Sequence, residues 1–225
     1  MYEGLESIKK YNSETVDFNS EKPSRQTIDF IDLLMEITKL YKIDKIADFG
    51  AGPGHICEAF FRKDYQVWHV DIKGEVFSFA QNRYKDLDLE IRMIEPERFF
   101  EMHEKMDLIT CFGVFEHLES PFIFMDKIYK QLRNGGIFAV FADFHNFFQP
   151  GHYKEHFIFE PFFLQLMENI GFEHMASQTL PLPKVRDHDR LSMGSLRIDF
   201  FRRPMDAVDD NLVRFKKMAD KYQLP

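Results

Sequence analysis

The segment Ile46-Ala47-Asp48-Phe49-Gly50-Ala51-Gly52-Pro53-Gly54 decides the fold: an apolar strand runs into three alternating glycines, and a helix begins near His55. A strand-to-helix turn at the carboxyl edge of a parallel sheet is where open α/β folds bind ligands. Glycines there let the backbone approach the ligand closely. The spacing narrows the choice of ligand. A dinucleotide fingerprint needs its third glycine at position 55, where this chain has His55, and a P-loop needs Gly-Lys-Ser/Thr, which is absent. Downstream, Asp71 closes the run Trp68-His69-Val70-Asp71, 21 residues after Gly50. A carboxylate at that strand end can accept hydrogen bonds from both hydroxyls of a ribose.

Outward from this turn, short apolar runs alternate with helical patterns. Residues 45–49, 66–72, 89–94, 107–112 and 137–142 read as strands with helices between them. Such a rhythm implies a parallel sheet with right-handed crossovers. Upstream, Phe30, Leu33, Leu34, Ile37, Leu40 and Tyr41 recur at helical spacing over 25–41, with Ser24 as N-cap. Ser120 and Pro121 open another helix, which Asn134-Gly135-Gly136 is expected to close. After Asp143 the pattern becomes aromatic. A helix over 161–170 then stops at Gly171, and two β-like runs follow at 172–180 and 195–202. Val208, Leu212, Phe215, Ala219 and Tyr222 form an apolar stripe. The chain therefore divides into an arm or lid (1–22), one α/β domain (23–205) and a C-terminal amphipathic helix (206–225).

Composition bounds the function. With 44% apolar residues and 26 Phe among 225, the chain has material for a sizeable core and an aromatic pocket. Its formal charge of −8 opposes extended contact with a phosphate backbone, so nucleic acid is not an expected partner. Cys57 and Cys111 are the only cysteines. They provide neither a disulfide framework nor a four-cysteine zinc site, and the expected compartment is the reducing cytoplasm. The first 22 residues lack a signal-peptide core, and no apolar run reaches the roughly 18 residues of a membrane span.

DFGAGPG resembles the first motif of class I S-adenosylmethionine-dependent methyltransferases, and VDI with Asp71 resembles their second. DLITCFGVFEHLESPFIFMDKIYKQLRNGGIFAVF is similar to the stretch in which their fourth strand delivers an E-H-x-x-x-P segment, before a helix and L-x-x-G-G lead into the fifth. HYKEHFIFEPFFLQLMENIGF resembles the later histidine-bearing loop and helix of small-molecule methyltransferases. The resemblance implies a Rossmann-like fold, a seven-stranded, mostly parallel sheet with helices on both faces, and S-adenosylmethionine as cofactor. It places Asp48, Gly50, Gly52 and Gly54 around the methionine half and Asp71 on the ribose. Phe112, Gly113 and Phe115 would flank the cofactor, and Glu95 would meet the adenine amino group.

The implied reaction moves a methyl group to oxygen or nitrogen of a small polar metabolite, with a sugar or an anionic acceptor among the options. An alcohol acceptor needs a base, and histidine titrates in the useful range. His145 is the first candidate because it lies just beyond the fifth strand, His156 is the second and His117 the third. Asp143, His145, His152 and His156 fit no fixed metal-ligand spacing, so no metal is expected. From Phe141 to Phe163, nine of 23 residues are Phe or Tyr and could line the acceptor pocket. Lys184, Arg186, Arg190, Arg197, Arg202 and Arg203 could hold an anion. The competing readings are a non-methylating enzyme on the same cofactor fold and a non-catalytic binding module. Homo-oligomers are possible, but nothing in the sequence indicates them.

Overall fold

The computed structural model describes residues 22–144, 151–181, 195–210 and 213–214. In chain order the strands are β1 (Lys45–Phe49), β2 (Gln66–Val70), β3 (Arg92–Ile94), β4 (Met106–Phe112), β5 (Leu132–Phe141), β6 (Glu173–Pro181) and β7 (Ser195–Arg202). They form one sheet in the order β3-β2-β1-β4-β5-β7-β6. All pairs from β3 through β5 are parallel, while β7 runs antiparallel to both β5 and β6. The strand order reverses between β1 and β4, the topological switch point at whose carboxyl edge open α/β sheets bind ligands.

The helices are α1 (Arg25–Leu40), α2 (His55–Phe61), α3 (Glu75–Asp86), α4 (Pro96–Glu101), α5 (Pro121–Gln131) and α6 (Phe163–Ile170). Short 3-10 segments cover Phe115–His117 and Lys154–Phe162. Side chains alternate across each strand and feed two cores. Ala47, Phe49, Trp68, Val70, Ile109 and Phe138 face α4, α5 and α6. Ile46, Val67, Leu108, Ile137 and Ala139 face α1, α2 and α3. Ser24 caps α1 as the sequence predicts, its hydroxyl accepting from the Thr27 amide at 3.1 Å.

Several boundaries move for local reasons. The strand expected over 89–94 shortens to Arg92–Ile94, because Asp88 turns at φ 53° and the Leu89 amide bonds back to the Tyr84 carbonyl. The glycines expected to end the fifth helix lie inside β5 instead. That helix ends at Gln131, and Gly135 and Gly136 bulge the strand where the register shifts between Met106 and Leu108. A Cβ on Gly136 would meet the Arg133 carbonyl oxygen at 2.9 Å, so this glycine lets two backbones approach. Pro161 lies in the 3-10 segment, and α6 starts at Phe163.

Residues 1–21, His145 and the charged loop over 182–194 lie outside the described residues, as does most of the expected final helix. What is described beyond 202 is fastened to the domain. The buried Arg203 guanidinium donates to the Tyr129 and Leu132 carbonyls at 3.0 and 2.8 Å, satisfying the end of α5, where cations are favoured. Arg214 lies over the Tyr129 ring and pairs with Asp126.

Candidate functional site

The three alternating glycines do three different jobs. All adopt left-handed φ (74°, 54° and 80° for Gly50, Gly52 and Gly54), which Cβ-bearing residues resist. A Cβ on Gly50 would stand 2.3 Å from a Val114 methyl, so this glycine lets the loops after β1 and β4 touch. A Cβ on Gly54 would stand 1.8 Å from the Tyr84 hydroxyl, inside the seam between α2 and α3. Among the described residues, Gly52 alone of the three has nothing within 4 Å of its Cβ position, and its amide donates to Asp71 Oδ2 at 2.8 Å. The second Asp71 oxygen accepts from the Ile72 amide at 2.7 Å. The glycine turn and the β2 acid are thus one hydrogen-bonded unit, with each carboxylate oxygen keeping acceptor capacity.

Beneath this unit lies a buried polar layer. β1 and β4 pair with Asp48 opposite Thr110, and the threonine hydroxyl donates to Asp48 Oδ1 at 2.6 Å. Burial pushes the Asp48 carboxyl up to about 7, with the Asp71 charge adding to it. Burial likewise pushes Asp71 up to about 6, against the pull of its two backbone bonds. Tyr84 donates to the Gly54 carbonyl at 3.2 Å, so it accepts from His69 Nδ1 at 2.9 Å, which fixes the His69 tautomer. Burial drives His69 down to about 3 and keeps it neutral.

At the end of β4, Gly113 (φ 68°) donates its amide to the Phe141 carbonyl at 3.0 Å and carries the ladder one residue past the strand. Phe112 is half-buried against Phe30, with ring centroids 4.7 Å apart. Phe115 departs from the expectation of a cofactor-flanking side chain. Its ring is fully buried among Phe124, Phe138 and Phe163, because the 3-10 turn at 115–117 rotates it into the core. Glu95 stands immediately after β3, half-buried and paired with Lys73 at 2.7 Å.

The same turn that buries Phe115 brings Glu116 and His117 to the loop before the second 3-10 segment. The Tyr153 amide donates to the Glu116 carbonyl at 2.9 Å, and His117 Nδ1 donates to the Gly151 carbonyl at 3.0 Å. The His117 and His152 rings meet edge to face at 4.7 Å. Glu116, His117 and His152 each offer a ligand atom, all within 4.8 Å of one another. Burial pushes the Glu116 carboxyl up to about 8, and the Asp143 charge adds to this. Burial also lowers His117 and so favours its neutral form. His156 is placed differently. It is only 4% exposed and stacks on Tyr153, so it is enclosed structure rather than an accessible base.

The aromatic stretch divides as well. Phe144 and Phe163 are core, while Phe157 and Phe162 are exposed. The described arginines of the expected anion site are engaged elsewhere: Arg197 with Asp199, Arg202 with Glu173, and Arg203 with α5 and Asp209. Thr110, Tyr84 and the clustering of Glu116 with His152 were missed from sequence. The first two depend on register and helix phase. Glu116 had a signal in the E-H-x-x-x-P segment, but its partner lies 36 residues away.

Residues 47–140 match the family model of the methyltransferase domain. The chain is 30% identical over 95 residues to the ubiquinone biosynthesis O-methyltransferase of Pseudomonas entomophila (strain L48), covering 41% of each chain. The chain thus spans about two fifths of the length of the curated relatives it matches. Among solved structures, the magnesium protoporphyrin IX methyltransferase of Synechocystis PCC 6803, which has S-adenosylmethionine bound, superposes with a TM-score of 0.62 at 14% identity, over 90% of this chain and 98% of that one. The cyclase SpnF superposes with a TM-score of 0.63 at 13% identity, over 89% and 93%. The match to a methyltransferase domain is thus confined to residues 47–140, and these residues lie in a seven-stranded Rossmann-like sheet of the fold that the solved methyltransferases share.

Proposed function

We propose that the chain transfers a methyl group from S-adenosylmethionine to oxygen or nitrogen of a small polar metabolite. Oxygen is favoured by the names of the curated relatives. The observation that carries this reading is the Gly52–Asp71 unit: a glycine opening on free space, bonded to a strand-end carboxylate with acceptor capacity left. Residues of this kind fit the cofactor. Asp71 would accept the ribose hydroxyls, and the backbone of Gly50 to Gly54 would follow the methionine half with Asp48 beneath it. Glu95 would meet the adenine amino group, and Phe112 and Gly113 would bound the pocket from β4. The bound cofactor supplies a methyl already activated as a sulfonium.

The chain's remaining task is to orient the acceptor, and alignment alone can supply about 7–11 kcal/mol of a barrier. Among the described histidines, His117 suits a proton-accepting role best. Its Nδ1–H is held by the Gly151 carbonyl, which leaves Nε2 with the lone pair, and burial disfavours its charged form. His145 stays a candidate from its position after β5. The engaged arginines favour an uncharged acceptor over an anionic one.

Calorimetry with S-adenosylmethionine, followed by product mass spectrometry with candidate hydroxyl and amine acceptors, tests the reading. Absence of cofactor binding would overturn it. A product without the added methyl would favour a non-methylating enzyme, a reading kept open by the likeness to a cyclase.

A further inference from the structure

Glu116 presents a physical problem that methyl transfer does not by itself explain. Its side chain is 3% exposed, and Oε2 has no hydrogen-bond partner among the described residues. Such an oxygen is costly to leave unsatisfied, and more so when charged, so a fold keeps one where something else completes it. The carboxyl lies near Gly113 in the loop after β4, which itself meets the glycine turn. A Cβ on Gly113 would be 3.7 Å from Glu116 Oε1, and Val114 packs against Gly50.

We propose that Glu116, His117 and His152 form a binding site for a divalent transition-metal ion of the zinc type, whose open position takes the acceptor's oxygen. Two imidazoles and one carboxylate are the donor set of a three-ligand catalytic zinc site with one position left for water or substrate. Imidazole nitrogen also selects against magnesium and calcium, which prefer oxygen ligands. Bonds of about 2.0–2.2 Å set tetrahedral ligands roughly 3.3 Å apart. The three donors already lie within 4.8 Å of one another, so small side-chain rotations close them on an ion. His117 is oriented as metal-binding histidines usually are, with the outer ring nitrogen donating to a carbonyl, here that of Gly151. Asp143, whose charge reaches both Glu116 and His117, adds to the negative field that a cation would meet.

This inference rests on the methyltransferase reading and narrows it. A metal-bound hydroxyl loses its proton more readily, so the acceptor class becomes a hydroxyl compound able to coordinate, such as a vicinal diol or catechol. The metal–oxygen bond stabilises the alkoxide or phenolate, and the proton leaves to water. The oxygen lone pair then forms the new C–O bond as the C–S bond breaks, and S-adenosylhomocysteine leaves neutral. In this arrangement His117 is a ligand and not the base.

The full chain, stripped with a chelator and dialysed, is titrated with zinc by calorimetry and with cobalt by visible absorption. Binding of one ion per chain is expected, with the cobalt spectrum of a four- or five-coordinate site. Glu116→Gln and, separately, His152→Gln should weaken zinc by more than the about 10–100-fold that loss of an outer-shell partner costs. His152→Gln lies on a loop and guards against misfolding of the buried variant. S-adenosylmethionine affinity, measured on the same samples, should stay unchanged. No stoichiometric binding, or full affinity in His152→Gln, would overturn the site. Zinc binding together with turnover indifferent to chelation would overturn its role toward the acceptor. A chain that binds zinc but not S-adenosylmethionine would remove the methyltransferase reading and leave the metal site standing.

Discussion

The loops after β1 and β2 and the loops after β4 and β5 leave the same edge of the sheet, yet they are built by different means. On the first side the candidate surface is mostly backbone. Gly52, Asp71 and Ile72 bond within a 21-residue stretch, over a buried floor of Asp48, Thr110 and Tyr84. On the second side the surface is made of side chains from two distant segments. Glu116 and His117 meet Gly151, His152 and Tyr153 across more than 30 residues. Backbone surfaces suit what every member of a superfamily shares, which under the proposed function is the cofactor. Side-chain surfaces can be rebuilt without disturbing the sheet, so they hold what distinguishes one member from another.

The sharpest way to break this comparison is to add one methyl at two glycines two residues apart. Gly54→Ala forces a left-handed alanine into the Tyr84 hydroxyl, and should lower stability by about 2–5 kcal/mol from backbone strain and overpacking together. Gly52→Ala has strain but no clash, so it should cost only about 1–2 kcal/mol in stability while cofactor binding is lost. Denaturant melts and calorimetry on both variants separate the two effects. Normal binding in Gly52→Ala would show that the open face at 52 is not the cofactor's.

Asp71→Ala should weaken S-adenosylmethionine roughly 10- to 150-fold, corresponding to about 1.5–3 kcal/mol for hydrogen bonds to a charged group. The fold should stay intact. Unchanged affinity would place the ribose elsewhere.

The floor makes a prediction about pH. Asp48 holds its proton up to about 7 when folded, against an ordinary value of 3.8. Between these values the native chain binds more protons than the unfolded one, so this group's contribution to stability falls as pH rises from about 4 through 7. The effect amounts to at most about 4 kcal/mol. Asp48→Asn, which keeps an acceptor for Thr110, should therefore flatten the fall in stability between pH 5 and 7.5, with Asp71 contributing the remainder at its lower end. An identical pH profile in the variant would show that Asp48 is ionised throughout.

The smallest expected effect concerns His156. Enclosed by Tyr153 and Phe159, it should tolerate His156→Phe with turnover within about 2-fold. A fall of ~10²-fold or more, the usual yield of a positioned base, would return it to the chemistry.

The contrast between the two sides also explains what the sequence could disclose. The glycine turn, Asp71 and the N-cap at Ser24 are local patterns whose geometry follows from residue type and spacing, and β1 and β7 appear at their expected bounds. The fate of Phe115 was not legible, because nothing in F-E-H reveals that a 3-10 turn sends the phenyl inward and the glutamate toward His152. Nor was the bulge of β5. Asn134-Gly135-Gly136 has the composition of a helix stop, and only the neighbouring Met106 backbone makes it part of a strand. Charge patterning misled at Arg203, which reads as a surface cation and in fact closes the end of α5.

The meeting of Gly54 and Tyr84 ties two positions 30 residues apart into one evolutionary choice. The tyrosine hydroxyl occupies the volume that any side chain at 54 would need, and it also holds the Gly54 carbonyl. While residue 84 is tyrosine, residue 54 has only glycine open to it. Replacing Tyr84 with phenylalanine does not free the position, since the ring carbon that bore the hydroxyl would still lie 2.5 Å from the new methyl. Descendants of this sequence can therefore acquire a side chain at 54 only after the aromatic ring at 84 has been replaced, so the order of the two substitutions is fixed.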